Sequence, residues 1–327
     1  MQAEKPLCLH KRGLDTVAYV RRRQQPPLPK RHGLDPARVR MPEDGHWTTV
    51  RTFLSDSQGR ISGARLDEMF AAGEIVDMFG PLSVDAPYIP GEAVWFHRDL
   101  PDETPVPFDI SVVHRDETIV VVDKPHFLST IPRGGHVLES ALVRLRRDLA
   151  LPFLVPAHRL DRVTAGLVLF VADPKARGAY QSLFQDRKVR KTYEAVAASS
   201  NHDFPVTIES RIVTEKGTFD AREADGEPNA KTVVELLDVR EGLGRYRLHP
   251  HTGRTHQLRL HMNSLGTPIV GDDLYPEPTG RAIDDFTDPL QLLASELEFV
   301  DPVSGATRRF ETGRTLQAWD ETNESPS

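Results

Sequence analysis

Two short apolar runs constrain this chain more than any other feature. Residues 118–122 read TIVVV and residues 166–172 read GLVLFVA. Both are strand-length, unbroken by polar residues and rich in β-branched and aromatic side chains, the composition of buried central strands. Residues 138–149 supply a helix to pack on them, with leucines at 138, 142, 145 and 149 interleaved with arginines. Further strands are predicted at 191–197, 231–239, 246–249 and 297–300, and the turn Asp301-Pro302-Val303-Ser304-Gly305 leads into a last strand ending at Phe310. These elements give an α+β fold: a mixed, mainly antiparallel central sheet with flanking helices.

The chain falls into four segments. Residues 1–45 are basic and proline-rich and predict a flexible arm. Residues 46–105 form a small mixed α/β module, with a helix near Leu66, Met69 and Phe70 and a strand over 93–96. Residues 106–315 form the main domain, and 316–327 a flexible tail. The net charge of -7 argues at first against a polyanionic partner. Its distribution reverses the point for the arm, because residues 1–40 carry ten Lys and Arg against Glu4, Asp15 and Asp35. The main body is correspondingly acidic, so any polyanion it holds requires a local basic cleft. No apolar stretch reaches the roughly 18 residues of a membrane span, and none near the N-terminus has the length of a secretory h-region. A cytoplasmic protein without membrane contact is expected. The single cysteine, Cys8, forms no internal disulfide and no thiolate metal site.

Chemistry concentrates in two segments. In His158-Arg159-Leu160-Asp161-Arg162-Val163-Thr164, just before the second apolar run, an acid sits between two arginines at a strand entrance. Such an acid is held ionised and presented at a cleft edge, although a structural ion pair capping the strand has the same pattern. The second segment is HTGRTHQLRLHM, residues 251–262. There Gly253 permits a tight turn, and Arg254 stands at the start of a helix whose Leu258, Met262 and Leu265 form the buried stripe. A helix N-terminus with an arginine suits a carboxylate or a phosphate.

Together the two segments resemble the signature of RluA-type RNA pseudouridine synthases. VVDKP at 121–125, Lys191-Thr192-Tyr193 and GDDLY at 271–275 match further family motifs, in the family's order, over about residues 108–311. Val163 and Ala165 stand where members often have Asp and Ser, and Leu293 where a His is common. The small module resembles, more distantly, the RNA-binding module that often precedes the catalytic domain, although basic residues are sparse in it.

The resemblance implies an active-site cleft and conversion of uridine to pseudouridine in ribosomal RNA or, next, transfer RNA. The glycosidic bond breaks, the uracil turns, and carbon 5 rejoins the sugar. Nothing is oxidised or added, so neither metal nor organic cofactor is implied. By the family's pattern Asp161 is the carboxylate nucleophile, with attack on the sugar, attack on the base and assistance to sugar deprotonation all open to it. Arg254 pairs with Asp161 and keeps its pKa low, while Tyr193 stacks on the uracil and removes the carbon 5 proton. The nucleotide is flipped out of its stack, and Arg159 fills the vacated space. His158, Arg162, Lys191, Lys124 and Leu258 complete the expected substrate contacts, and the enzyme is expected to act as a monomer. On a strand Lys191 and Tyr193 share one face and Arg190 takes the other, while Arg187 and Lys188 also read as a solvated charge run.

Other readings are weaker. His256 and His261 are five apart, on different sides of a helix, and lack the HExxH arrangement of a metallohydrolase. His114-Arg115-Asp116 lacks the asparagine of a kinase catalytic loop, Val121 standing in its place. A non-catalytic RNA-binding or ribosome-assembly protein on the same fold is the main rival, and Asp161, Tyr193 and Arg254 together count against it.

Overall fold

A computed structural model describes residues 26–100, 102–214 and 221–320. Most of the basic arm, residues 1–25, lies outside the described residues. The chain forms two compact units, one containing Asp35–Arg98 and the other Lys30–Leu34 with Asp99 onward.

In the smaller unit, strand β1 (Ala37–Arg40) pairs antiparallel with β2 (Ala93–Phe96), and helices α1 (Val50–Ser57) and α2 (Gly63–Ala71) lie between them in sequence. Thr49 caps α1 by accepting from the Thr52 N–H while the Thr52 side chain answers its backbone, and Ser62 caps α2. Leu66, Met69 and Phe70, spaced for one helix face, are buried with Phe53, Leu54, Val94 and Phe96. Ala37–Arg40 departs from the flexible arm expected through residue 45. Ala37 and Val39 alternate onto this core, and the Arg40 Nε donates to the Gly91 carbonyl, so the strand is fixed despite its charges. Arg51 pairs with Asp67, and Arg65 with Glu74. Much of the sparse basic charge of this unit is thus spent internally.

The larger unit runs β3 (Ser111–Arg115), β4 (Ile119–Lys124), α3 (Ala141–Asp148), β5 (Val155–Pro156), β6 (Ala165–Val171), α4 (Arg177–Gln185), β7 (Arg190–Ala198), β8 (Val206–Thr214), β9 (Ala221–Ala224), β10 (Ala230–Arg240), β11 (Leu243–Pro250), α5 (Gln257–Ser264), β12 (Leu292–Val300), β13 (Thr307–Glu311) and α6 (Gln317–Asp320). Its sheet has the order β3-β4-β6-β12-β7-β11-β10-β8-β9, with β13 on β12 and β5 on β6. Among the described strand pairs only β6 with β12 is parallel. The unbroken apolar runs follow from packing on both faces. Val120, Val122, Val168 and Phe170 meet Leu142 and Leu145 of α3. Ile119, Val121, Leu167 and Leu169 meet Tyr180 and Leu183 of α4 on the other side.

The end of the chain is less free than its polar sequence implied. Leu316 and Trp319 are buried against Ala165, Val196 and Leu293. Buried Asp123 accepts from the Thr312 hydroxyl, the Gly313 N–H and Arg314. The expected tail therefore begins no earlier than the end of α6, and residues 321–327 lie outside the described residues.

One row of residues crosses the centre of the sheet. Gly166 of β6 registers with Ala294 of β12, and Ala294 with Tyr193 of β7. At roughly 4.8 Å per strand, the entrance of β6 and Tyr193 lie about 10 Å apart. Gly166 makes this possible: its φ is +109°, and a Cβ there would meet the Ala294 carbonyl oxygen at 2.3 Å and nitrogen at 2.6 Å. Gly166→Ala is expected to destabilise the protein by about 2 to 4 kcal/mol, measured as the shift in urea midpoint at unchanged slope. A midpoint equal to that of wild type would show that the two strands tolerate separation.

Candidate active site

The segment between β5 and β6 is pinned at several points, leaving particular side chains for chemistry. The Leu160 N–H donates to Thr130 Oγ1 at 3.1 Å, and the Thr130 hydroxyl donates back to the Leu160 carbonyl at 2.8 Å. His158 Nε2 accepts the Leu169 N–H, and its ring stacks on Phe184 at 4.3 Å. Burial and nearby Lys191 push His158 down to about 3, as an imidazole that accepts from a backbone amide requires. The Asp161 carbonyl accepts the Thr164 N–H in a tight turn. Arg159, Asp161 and Arg162 then line an open cleft of about 950 Å³.

Lys124 is not in that cleft, contrary to its expected substrate contact. It is fully buried, and Nζ donates to the carbonyls of Pro125, Leu128 and Arg162 at 2.9, 2.8 and 3.3 Å. Three carbonyl acceptors match the three N–H bonds of an ammonium. Burial pushes the group down to about 7, and the charge of Asp161 opposes this. Lys124 therefore supports the Asp161 loop from beneath.

The opposite wall comes from β7 and the turn before α5. Lys191 and Tyr193 of β7 both line the cleft, while Arg190 points away and pairs with Glu296 and Glu298, as strand alternation requires. Lys191 Nζ donates to the Thr252 carbonyl at 3.2 Å. Burial pushes it down to about 8, with Arg187 acting in the same direction. The helix begins at Gln257 rather than at Arg254, which lies in the preceding turn. Leu258 is buried in the core at the cleft floor.

Several groups not singled out in the sequence complete the floor. Arg259 is 2% exposed and bonds Asp272, with Nε to Oδ2 at 2.8 Å, and Asp273 at 2.6 Å. Gly271, at φ +75°, permits the chain to pass Pro289, whose carbonyl oxygen a Cβ would meet at 2.5 Å. His256 Nδ1 donates to the Tyr275 hydroxyl oxygen, which itself donates to the Ala221 carbonyl. The motifs 251–262 and 271–275 contain these residues, but only the fold shows that they meet. Arg133, Arg281 and Ile283 of the rim carried no sequence signal at all.

The cleft is strongly basic on an otherwise acidic chain. Its walls carry Arg133, Arg159, Arg162, Arg187, Lys191, Arg254, Arg259 and Arg281 against Asp161 and Asp273. The charge of Asp161 raises Lys124, Arg259 and His256 against the lowering effect of burial. Tyr193 is pushed well above its ordinary range by burial first and by Asp161 second, so it stands as a neutral phenol. Among the described ion pairs none joins Arg254 to Asp161. Arg254 is exposed, and its Nε donates to the Asn229 carbonyl at 3.2 Å. The expected pairing is therefore not made, because the turn holds Arg254 at the rim while the cations that feel Asp161 lie beneath it. Among the described residues no cluster of three His, Cys, Asp or Glu could hold a metal, and no helix is long and apolar enough to cross a membrane.

Comparison with known proteins agrees with this geometry. The family model for RNA pseudouridylate synthase matches residues 118–264. The dual-specificity RNA pseudouridine synthase RluA of Vibrio cholerae is 36% identical over 208 residues, covering 60% of this chain and 79% of that protein. The chain belongs to the RluA-type RNA pseudouridine synthases. Ribosomal large subunit pseudouridine synthase D of Yersinia pestis is 29% identical over 293 residues, 83% of this chain and 84% of the relative. The structure of human RNA pseudouridylate synthase domain containing 1 superposes with a TM-score of 0.52 at 25% identity, over 69% of this chain and 99% of that one. For an RluA-type synthase the mainly antiparallel α+β sheet is thus the family's own architecture.

Three imidazoles, buried His261 and partly buried His126 and His158, give this synthase an acid-sensitive stability. Burial pushes His158 to about 3 and His126 and His261 to about 4. Below about 6.5 the unfolded chain binds protons that the folded one refuses, so stability falls with pH across that window and is unaffected by these rings above it. Each ring is expected to remove up to about 2 kcal/mol at pH 5. Thermal unfolding at pH 7, 6 and 5, with the three ring resonances followed by NMR, checks this; rings that titrate near 6.5 in the folded protein would contradict it.

Proposed function

We propose that this synthase converts a uridine of ribosomal RNA to pseudouridine, with Asp161 as the nucleophile acting on a nucleotide flipped into the basic cleft. The observation that carries the reading is the placement of Asp161, a cleft carboxylate ringed by cations, across from Tyr193. A bare carboxylate facing a polyanion raises a binding cost that only chemistry justifies. Ribosomal RNA is favoured by the alignment, over most of this chain, with a relative named for the large ribosomal subunit.

The reaction breaks the bond from N1 to C1′, forms one from C5 to C1′, and moves a proton from C5 to solvent while N1 gains one. A uracil within a stack exposes none of these atoms, and extrusion costs a few kcal/mol. Arg159, exposed beside Asp161 with no partner among the described residues, fills the space left behind. Arg162 is held over Phe127 at 5.9 Å and donates to the Ile283 carbonyl, which ties the nucleophile's loop to the rim. Tyr193 as a neutral phenol stacks on the base. Its own O–H proton must pass to solvent before it can take the C5 proton, and that loss becomes easier once Asp161 has spent its charge in a covalent bond, because that charge opposes phenolate formation. Arg254 meets RNA from the rim.

Asp161→Asn keeps the shape and removes the nucleophile. It is expected to lower tritium release from 5-labelled uridine in RNA by about three orders of magnitude or more, with RNA affinity and melting temperature near those of wild type. Activity close to wild type would sink the mechanism. Mapping pseudouridines in ribosomal and transfer RNA with and without the gene tests the substrate, and loss of a transfer RNA site alone would move the assignment.

Arg254→Ala is expected to cut activity at least about tenfold while shifting stability by under about 0.5 kcal/mol, because the residue is exposed and its side chain makes one hydrogen bond. A stability loss of several kcal/mol would show that Arg254 is structural rather than poised for RNA.

A further inference from the structure

We propose that Gln257 is a positioning residue that sets the place of Arg254 by locking the turn that carries it onto the sheet. The inference rests on the reading that Arg254 serves the reaction. Gln257 is 3% exposed, and both polar atoms of its side chain are taken up by protein partners. Its amide makes four hydrogen bonds. Oε1 accepts the Arg254 N–H at 3.1 Å and the Thr252 hydroxyl at 2.6 Å, and Nε2 donates to the Lys231 carbonyl at 3.0 Å and to Thr232 Oγ1 at 2.9 Å.

The orientation of the amide is fixed by its partners. A backbone N–H only donates and a backbone carbonyl only accepts, so turning the amide over would set oxygen against oxygen at Lys231 and N–H against N–H at Arg254. Thr252 Oγ1 already accepts the Lys231 N–H at 2.9 Å, so its own proton goes to Gln257. One side chain thereby joins both ends of the turn, Thr252 and Arg254, to the first residues of β10. Deeper in the core, Thr232 bonds His261 Nδ1 at 2.8 Å, and His261 Nε2 meets the Ser210 hydroxyl at 3.1 Å. The network is buried and fully satisfied, a condition under which loss of one member leaves others orphaned.

Glutamate at this position separates positioning from mere packing. A protonated carboxyl has one oxygen to accept from Arg254 and Thr252 and one hydroxyl to donate to the sheet; an ionised carboxylate donates nothing and faces the Lys231 carbonyl with negative charge. The titratable and charged groups around it are His261 of α5 through Thr232, Lys191 of β7 through the Thr252 carbonyl, Lys231 of β10, whose Nζ pairs with Glu209 of β8 at 2.6 Å, and Arg254 of the turn. His261 is neutral above about 4 and Lys191 is charged below about 8, so neither of these neighbours changes charge across the middle of the pH 5 to 7.5 range, and titrations shared with wild type cancel in the ratio of rates.

The test uses the full-length enzyme and a uridine-containing RNA substrate, with single-turnover rates at saturating RNA for wild type, Gln257→Glu, Gln257→Met and Arg254→Ala. The Gln257→Glu rate relative to wild type is expected to fall at least tenfold between pH 5 and pH 7.5, with helix content by circular dichroism unchanged, and Gln257→Met is expected to be slow at every pH. A Gln257→Glu profile parallel to wild type, or a Gln257→Met rate equal to wild type, overturns the proposal. So does loss of ellipticity together with activity, which would make the residue a fold element only. If Arg254→Ala is itself fully active, the reading of Arg254 has failed; if Arg254→Ala is slow and both Gln257 variants are not, only the positioning role has.

Discussion

The structure depends on the close approach of β6 and β12 at Gly166. It is the one parallel pairing among the described strands, and it is made over only Ala165–Leu293 and Gly166–Ala294. A parallel pair of two rungs adds little stability by itself, but it decides where the chain enters β6. Because β12 also pairs with β7 in the adjoining register, one row of backbone fixes both the end of the Asp161 loop and the position of Tyr193. Leu316 and Trp319 seal the far side of this row against Ala165 and Leu293, so even the C-terminal helix serves the same junction.

Given that junction, the remaining problem is electrostatic. Asp161 stands in a basic cleft, and among the described ion pairs none holds it. Direct pairing would tie up the carboxylate oxygens of Asp161. Here the compensating charge is set back. Lys124 is tied to three carbonyls and Arg259 to two aspartates, so each acts on Asp161 through the low-dielectric interior while its own hydrogen bonds are spent elsewhere. Groups held in place by their own hydrogen bonds need no reorganisation when charge changes nearby.

Much of this was legible in the sequence, for identifiable reasons. TIVVV and GLVLFVA announced buried strands because both faces of β4 and β6 are packed, and the alternation of Arg190, Lys191 and Tyr193 followed from strand geometry alone. The helix α4 carries only two fully buried residues, Tyr180 and Leu183, and β3 and β8 are largely solvent-facing, so their apolar periodicity was too thin to read. Lys124 was misplaced because a lysine beside an active-site strand reads as substrate-facing. Its burial depends on carbonyls contributed by residues 125, 128 and 162, a convergence that no local pattern encodes. Arg254 was assigned to Asp161 by resemblance, whereas its carbonyl partner comes from Asn229, a residue whose side chain is spent on both backbone groups of Ile212.

The position of Arg254 and the charge map answer each other. Outside the cleft the body of the protein is acidic; within it, setting aside Arg259 and the Asp273 that it binds, seven cations face Asp161. Field lines converge on such a depression between low-dielectric walls, so a polyanion is drawn to the cleft and repelled from its surroundings. A guanidinium already buried on Asp161 would add nothing to that field, since the pair is neutral at a distance. Held at the rim by a neutral carbonyl, Arg254 keeps its full charge, and Gln257 ties the turn that carries it to the sheet. The small unit, by contrast, spends Arg51 and Arg65 on internal ion pairs, so the concentrated basic field belongs to the cleft of the larger unit.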